Sequence, residues 1–352
     1  MLDFVRHALG EGTGGIRAKL VALYGLLIAA NLLAWAWALL AFRGYPVLLG
    51  TALLAYSFGV RHAVDADHIA AIDNVTRKLM HQGRRPVGVG FYFSLGHSTV
   101  VGLASLAIAA GAAALQTRFA AFKEVGGLVG TGISAAFLFA IAIVNLFVLA
   151  QVWRSFQRVK RGGRYVDADL DGFLAQRGLL GRLFRPLFRL IGASWHMYPL
   201  GFLFGLGFDT ATEIGVLGIS EAEASKGLST WAILIFPALF TAGMSLVDTT
   251  DSVLMVGAYG WAFTKPLRKL YYNMTITLVS VVAAMIIGGI EALGLVAGQL
   301  NLDGAFWRMV GGLNDNFGSL GFLIIGVFAA SWAVSAMIYR WRRYDEIEVT
   351  RG

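Results

Sequence analysis

Residues 61–69 read RHAVDADHI, and they interrupt a run of apolar residues that extends from about 46 to 75. The ionisable side chains in this stretch are Arg61, His62, Asp65, Asp67 and His68. Each ionisable side chain near the centre of a bilayer costs about 2.5–3.5 kcal/mol on insertion scales. A membrane helix carries such a set only when other groups offset the cost, so the stretch indicates a functional position within a helical bundle.

The whole chain has the composition of a multi-pass membrane protein. Of its 352 residues, 57% are hydrophobic and 14% are charged, and the mean hydropathy is +0.67. This composition excludes an ordinary soluble domain. The chain contains no cysteine, which excludes disulfides and thiolate metal ligands.

Eight segments are long and apolar enough to span a membrane, since a crossing helix needs about 20 mainly apolar residues. From the first span to the eighth, they are approximately 19–42, 46–75, 87–114, 126–153, 196–219, 230–260, 270–298 and 317–341. We therefore expect an all-α polytopic membrane protein, with residues 1–352 forming a single transmembrane domain.

Basic residues lie mainly in alternate connections: before the first span and after the second, fourth, sixth and eighth. The positive-inside rule assigns these connections to the cytoplasm. Both termini are then cytoplasmic, in a protein of the cytoplasmic (inner) membrane. The longest connection, 154–195, is strongly basic. We expect this loop to lie on anionic lipid headgroups rather than on nucleic acid.

The sequence contains a weak internal repeat. SFGVRHAVDADHI in the second span resembles LFGLGFDTATEIG in the fifth, and LGHSTVVG in the third resembles AGMSLVDT in the sixth. Phe58 to Gly96 is 38 residues, and Phe204 to Gly243 is 39. Copies of three spans each, 2–4 and 5–7, would form the inverted repeat of many secondary transporters. The alternative is chance similarity between glycine-rich apolar segments.

Polar clusters occur in four spans, whereas the first, fourth, seventh and eighth are nearly free of polar side chains. Besides the second span, the clusters contain His97 in the third, Asp209 and Glu213 in the fifth, and Asp248 and Asp251 in the sixth. Several clusters in one bundle predict a shared site or pathway. A purely structural network is the alternative, although buried ion pairs rarely offset their own desolvation.

The mixture of imidazole and carboxylate groups predicts a divalent transition-metal ion. Imidazole suits nickel, cobalt, copper and zinc, whereas carboxylate and carbonyl oxygen suit magnesium, calcium and manganese. The candidate metal-binding residues are His62, Asp65, Asp67, His68, His97, Asp209, Glu213, Asp248 and Asp251. We expect the ion to be a transported substrate, with no resident cofactor.

A regular helix through the second span would fix the directions of its polar side chains. At about 100° per residue, His62, Asp65 and His68 share one side, and Asp67 points nearly opposite Asp65. At most one of the two aspartates would then bind an ion from the side of the histidines. A helix broken near Gly59 would change these angles and expose backbone carbonyls as ligands.

Together, the four motifs resemble those of the nickel/cobalt transporter family (NiCoT), whose members are secondary metal permeases. They are RHAVDADHI at 61–69, GHSTVV at 96–101, LGFDTATE at 206–213 and GMSLVDTTD at 243–251, and none departs from the family pattern. The resemblance also covers the eight spans and the basic loop. It implies high-affinity uptake of Ni²⁺ or Co²⁺, with His62, Asp67 and His68 forming the family's His-x4-Asp-His element.

Two other classes of protein compete with this interpretation. An intramembrane metal-dependent hydrolase would also use histidine and aspartate to hold a catalytic zinc ion. Against an enzyme, the sequence has no His-Glu-x-x-His motif, and its acidic residues are spread over several spans. The third class is a proton-conducting or regulatory membrane protein without metal. A G-x-x-x-x-G-K-[ST] loop is also missing, so we expect no ATP-driven pump and no required ATPase subunit.

Overall fold

The computed structural model describes residues 15–110, 113–161, 191–207, 211–262 and 266–341, and the regular structure within these ranges is helical. The helices are α1 (Ile16–Ala41), α2 (Pro46–His62), α3 (Ala66–His81), α4 (Val89–Ala109), α5 (Ala113–Lys160), α6 (Met197–Gly205), α7 (Ala211–Ser225), α8 (Thr230–Ile233), α9 (Ile235–Ala262), α10 (Pro266–Leu300), α11 (Ala305–Asn314) and α12 (Phe317–Trp341), with a 3₁₀ turn at Ser194–His196.

Among the described residues, six helices are long and apolar enough to cross a membrane, and the number of candidate spans is seven if the bent pair α2 and α3 is counted as one. These seven coincide with predicted spans. The predicted fifth span falls on α6 and α7, and residues 208–210, just before α7, lie outside the described part of the chain. No helix was predicted for 305–314, where α11 forms. The fold is therefore that of a multi-pass helical membrane protein.

The second predicted span is broken rather than regular, so the prediction of a continuous helix there is wrong. α2 ends at His62, α3 begins at Ala66, and their axes differ by 51°. The Val64 N–H donates a hydrogen bond to the Arg61 carbonyl, and the Asp65 N–H donates one to the His62 carbonyl. These bonds form the turn between the two helices. The alternative interpretation placed a break near Gly59. The observed break lies a few residues later in the chain.

Asp65 lies at the point where the new helix begins. Its backbone is extended (φ −65°, ψ 147°) at the N-cap of α3, a position that aspartate favours. Asp67 lies in the first turn of α3, where a negative charge is stabilised by the helix dipole. Every residue from His68 to Met80 is buried, so α3 is the central helix of the bundle.

Glycines bring two pairs of helices into backbone contact. Gly59 of α2 lies against Phe240 of α9, and an added Cβ would be 2.8 Å from the Phe240 Cα. Gly96 of α4 lies against the backbone of α6, where an added Cβ would be 2.8 Å from the Phe202 nitrogen. Such small-residue interfaces are typical of membrane helices, because close approach maximises van der Waals contact.

We expect Gly59→Ala to destabilise the protein by about 1–3 kcal/mol, because the added methyl group overlaps the Phe240 backbone. The measurement is the thermal unfolding midpoint of detergent-solubilised protein. Gly50→Ala is the matched control, because it lies in the same helix and its added Cβ meets nothing within 4 Å. Equal midpoints for the two variants would contradict the close packing of α2 on α9.

Candidate metal centre

Three histidines from three helices meet in the interior of the bundle. His62 is the last residue of α2, His68 lies in the first turn of α3, and His97 lies on α4. Their ring centroids are 4.6, 4.7 and 4.9 Å apart. One ring nitrogen from each lies within 4.8 Å of the other two, and all three residues are buried. The break after His62 brings His62 and His68, near opposite ends of RHAVDADHI, into contact.

Two of the three histidines are held by carboxylates through Nδ1. His62 Nδ1 lies 2.8 Å from Asp65 Oδ2, and His68 Nδ1 lies 3.3 Å from Asp248 Oδ2. A carboxylate accepts the hydrogen bond, so the proton belongs on Nδ1 and the Nε2 lone pair is left for another partner. Histidines that bind metal ions commonly donate their other N–H group to a carboxylate in this way.

His97 joins this pair to a third carboxylate. Its Nε2 lies 2.9 Å from His62 Nε2 and 2.7 Å from Glu213 Oε1. Two imidazole nitrogens this close share either a proton or a cation. Nitrogens bound at right angles to one metal ion, each at about 2.1 Å, are about 3 Å apart. The spacing of His62 and His97 therefore fits a shared metal ion.

Two of the remaining predicted acidic residues, Asp67 and Asp251, interact with members of this centre. Asp67 is half-buried in the first turn of α3 and interacts electrostatically with His97. Asp251 lies one turn beyond Asp248 on α9 and interacts electrostatically with it. Asp209 lies outside the described residues. The structure thus brings together the side chains of His62, Asp65, His68, His97, Glu213 and Asp248.

Four further side chains surround the centre and were not predicted as site residues. Ser94 donates a hydrogen bond to Asp248 Oδ2 at 2.6 Å, and Thr212 Oγ1 lies 3.1 Å from His62 Nδ1. The Phe93 ring lies 4.8 Å from the His68 ring, and the Phe240 ring lies 5.5 Å from the His62 ring. Ser94 was detectable in principle, since it precedes His97 by three residues and so shares its helix face.

A separate buried polar network lies further along α3. Arg77 donates to Asp73 at 2.6 Å, and Ser280 of α10 donates to the same carboxylate oxygen at 2.5 Å. Asn74 accepts hydrogen bonds from Arg77 and from Asn145 of α5. The network links α3 to the long helices α5 and α10. Within it, the Arg77 guanidinium group neutralises the Asp73 carboxylate.

Comparison with known proteins identifies the family of the chain. Residues 48–338 match the NicO family, described as high-affinity nickel-transport protein. The chain is 64% identical to the high-affinity nickel transport protein of Cupriavidus necator, over 96% of this chain and 97% of that protein. It is 45% identical to the nickel transporter NicT of Mycobacterium tuberculosis, over 93% of this chain and 90% of that protein.

A cobalt transporter is also among the relatives. The cobalt transport protein NhlF of Rhodococcus rhodochrous is 41% identical over 93% of this chain and 94% of that protein. No solved structure matches the chain. The family and these relatives are transporters rather than enzymes, so the hydrolase alternative has no support, and the metal ion is cargo rather than a cofactor. The chain therefore belongs to the NicO family of high-affinity nickel-transport proteins, in agreement with the resemblance of its four motifs to nickel/cobalt transporters.

Proposed function

We propose that the protein takes up Ni²⁺ or Co²⁺ across the cytoplasmic membrane by secondary transport, and that the ion passes through the centre formed by His62, His68 and His97. The observation that carries this proposal is the pair of Nδ1–carboxylate contacts, which present the Nε2 atoms of His62 and His68 as ligands. Nickel and cobalt transport by relatives supports the choice of substrate.

In this proposal the acidic residues have different roles. Asp65 and Asp248 hold the Nδ1 protons of His62 and His68, and Glu213 adds negative charge beside His97. The other predicted residues, Asp67, Asp209 and Asp251, belong to the approach and exit of the ion. A nitrogen and oxygen site without thiolate binds these metals less tightly than a cysteine site, which suits a carrier that must release its cargo.

The linkage between metal and proton binding supports a secondary mechanism. Histidine must be neutral to bind a metal ion, so an ion entering the centre competes with protons for the same nitrogens. Such competition is one requirement for coupling ion movement to proton movement. We propose that no ATPase subunit is required. The surrounding lipids are the expected partners of the basic loop, of which residues 162–190 lie outside the described part.

We further propose eight spans arranged as an inverted repeat, with α6 and α7 forming one broken span like α2 and α3. One observation supports this arrangement. Gly243 of α9 approaches Tyr56 of α2, and the corresponding Gly96 of α4 approaches the corresponding Phe202 of α6.

We expect His68→Ala to reduce uptake of radioactive Ni²⁺ or Co²⁺ at low metal concentration to background, because the variant loses a ligand. His62→Ala should behave in the same way. The measurement is ion accumulation in cells, normalised to the amount of protein in the membrane. His196→Ala is the control, since this histidine accepts a hydrogen bond from Gly192 near α6 and takes no part in the triad. Normal uptake by both triad variants would overturn the proposed centre.

Asp65→Asn tests the role of the carboxylate behind His62. The amide retains the shape of Asp65 but removes its negative charge, so His62 becomes a weaker ligand. We expect the metal concentration for half-maximal uptake to rise roughly 10–100-fold. Asp303→Asn, an exposed position between α10 and α11, should transport as the wild type does. An unchanged half-maximal concentration in Asp65→Asn would remove Asp65 from the site.

The natural absence of cysteine allows a direct test of orientation. We expect Asp303→Cys to react with a membrane-impermeant thiol reagent added to intact cells. Arg85→Cys should react only after the cells are permeabilised, because its connection is assigned to the cytoplasm. Both positions are exposed. Labelling in the reverse pattern would contradict cytoplasmic termini, and labelling of both from outside would contradict the proposed order of spans.

A further inference from the structure

The helix α12 packs two of its glycines against the break between α2 and α3. An added Cβ on Gly321 would lie 2.7 Å from the Val64 carbonyl carbon, closer still to its oxygen, and 3.2 Å from the Ile69 side chain. One turn earlier, an added Cβ on Gly318 would lie 3.1 Å from Asp65 Oδ1 and 3.3 Å from Arg61 Nε. The break therefore lies directly on a glycine surface of α12.

This surface is specific to the first two turns of the helix. Phe317 and Ile324 flank the two glycines and pack in the same buried cluster as Ala66 and Ile69 of α3. Further along the same helix, an added Cβ on Gly326 meets nothing within 4 Å. Among the glycines of α12, the two that face the break are therefore the ones in close contact with other helices.

Asp65 occupies a position in which two hydrogen-bonding arrangements compete. An aspartate at an N-cap ordinarily accepts a hydrogen bond from a backbone N–H two or three residues later in its helix. Asp65 makes no such cap, and its Oδ2 accepts from His62 Nδ1 instead. Its Oδ1 lies beside Gly318 in the first turn of α12, where the positive end of the helix dipole stabilises a carboxylate.

We propose that Gly318 and Gly321 are positioning residues for the metal centre, holding the break and the Asp65 carboxylate in the arrangement that orients His62. The proposal rests on the proposed function of that centre. A methyl group at Gly318 would shift the Asp65 carboxylate by a few tenths of an ångström, which weakens its contact with His62 and favours the competing cap of α3. A methyl group at Gly321 would displace the Val64 backbone, and the break would move with it.

The test measures Co²⁺ binding to the purified full-length protein in detergent, by calorimetry and by the visible absorption of bound Co²⁺, which reports its ligands and geometry. We expect Gly318→Ala and Gly321→Ala to raise the Kd roughly 10-fold and to alter the spectrum, as loss of a histidine's carboxylate partner does. Gly326→Ala, the matched control in the same helix, should bind as the wild type does.

A double-mutant cycle separates positioning from general packing. If Gly318 acts through Asp65, then Gly318→Ala should weaken binding little further in the Asp65→Asn background. Full additivity, or a wild-type Kd and spectrum for Gly318→Ala, would overturn the proposal. If Gly321→Ala does not elute as a folded protein, Gly318→Ala decides the question, since its added contacts require shifts of only a few tenths of an ångström.

The proposed function is tested separately in the same assay. Failure of the wild type to bind Co²⁺, or normal binding by His68→Ala, would overturn the metal centre and the glycine proposal together. Binding that is lost in His68→Ala but unchanged in both glycine variants would overturn the glycine proposal alone.

Discussion

The contact between His62 and Asp65 across the helix break is the interaction on which the rest of the centre depends. It joins the last residue of α2 to the N-cap of α3. It uses the aspartate side chain that would otherwise cap the new helix, and it leaves the Nε2 atom of His62 to meet His97. The break thereby converts a linear motif into one side of a three-dimensional site.

The sequence predicted which side chains meet in the centre better than how they are arranged. Composition and the positions of histidine and aspartate indicated buried metal ligands, because ionisable groups in apolar spans are costly and usually serve a function. The contact between His68 and Asp248 joins residues 180 positions apart, and no local pattern encodes such a distance. The directions assigned to Asp65 and Asp67 assumed a regular helix, and three residues of broken helix were enough to change them.

The fold was predictable to a similar extent. Long apolar helices such as α1, α5 and α12 are visible in the sequence because the bilayer requires about 20 apolar residues for each crossing. The short amphipathic α11 has no such requirement and was missed. The glycines of α12 were also visible, but their role was not, since a glycine acquires a role only from the backbone that packs against it. The eighth predicted span, which forms α12, carries few polar groups, so its sequence alone indicated no role in the site.

The burial of the three histidines limits how the protein can move ions. These residues are at most 2% exposed within the described part of the chain, and the rings of Phe93 and Phe240 lie against His68 and His62. Within the described part of the chain, these side chains are therefore closed off from solvent. The proposed passage of an ion through the centre requires a rearrangement that opens it, and collective helix motions of this kind take microseconds to milliseconds.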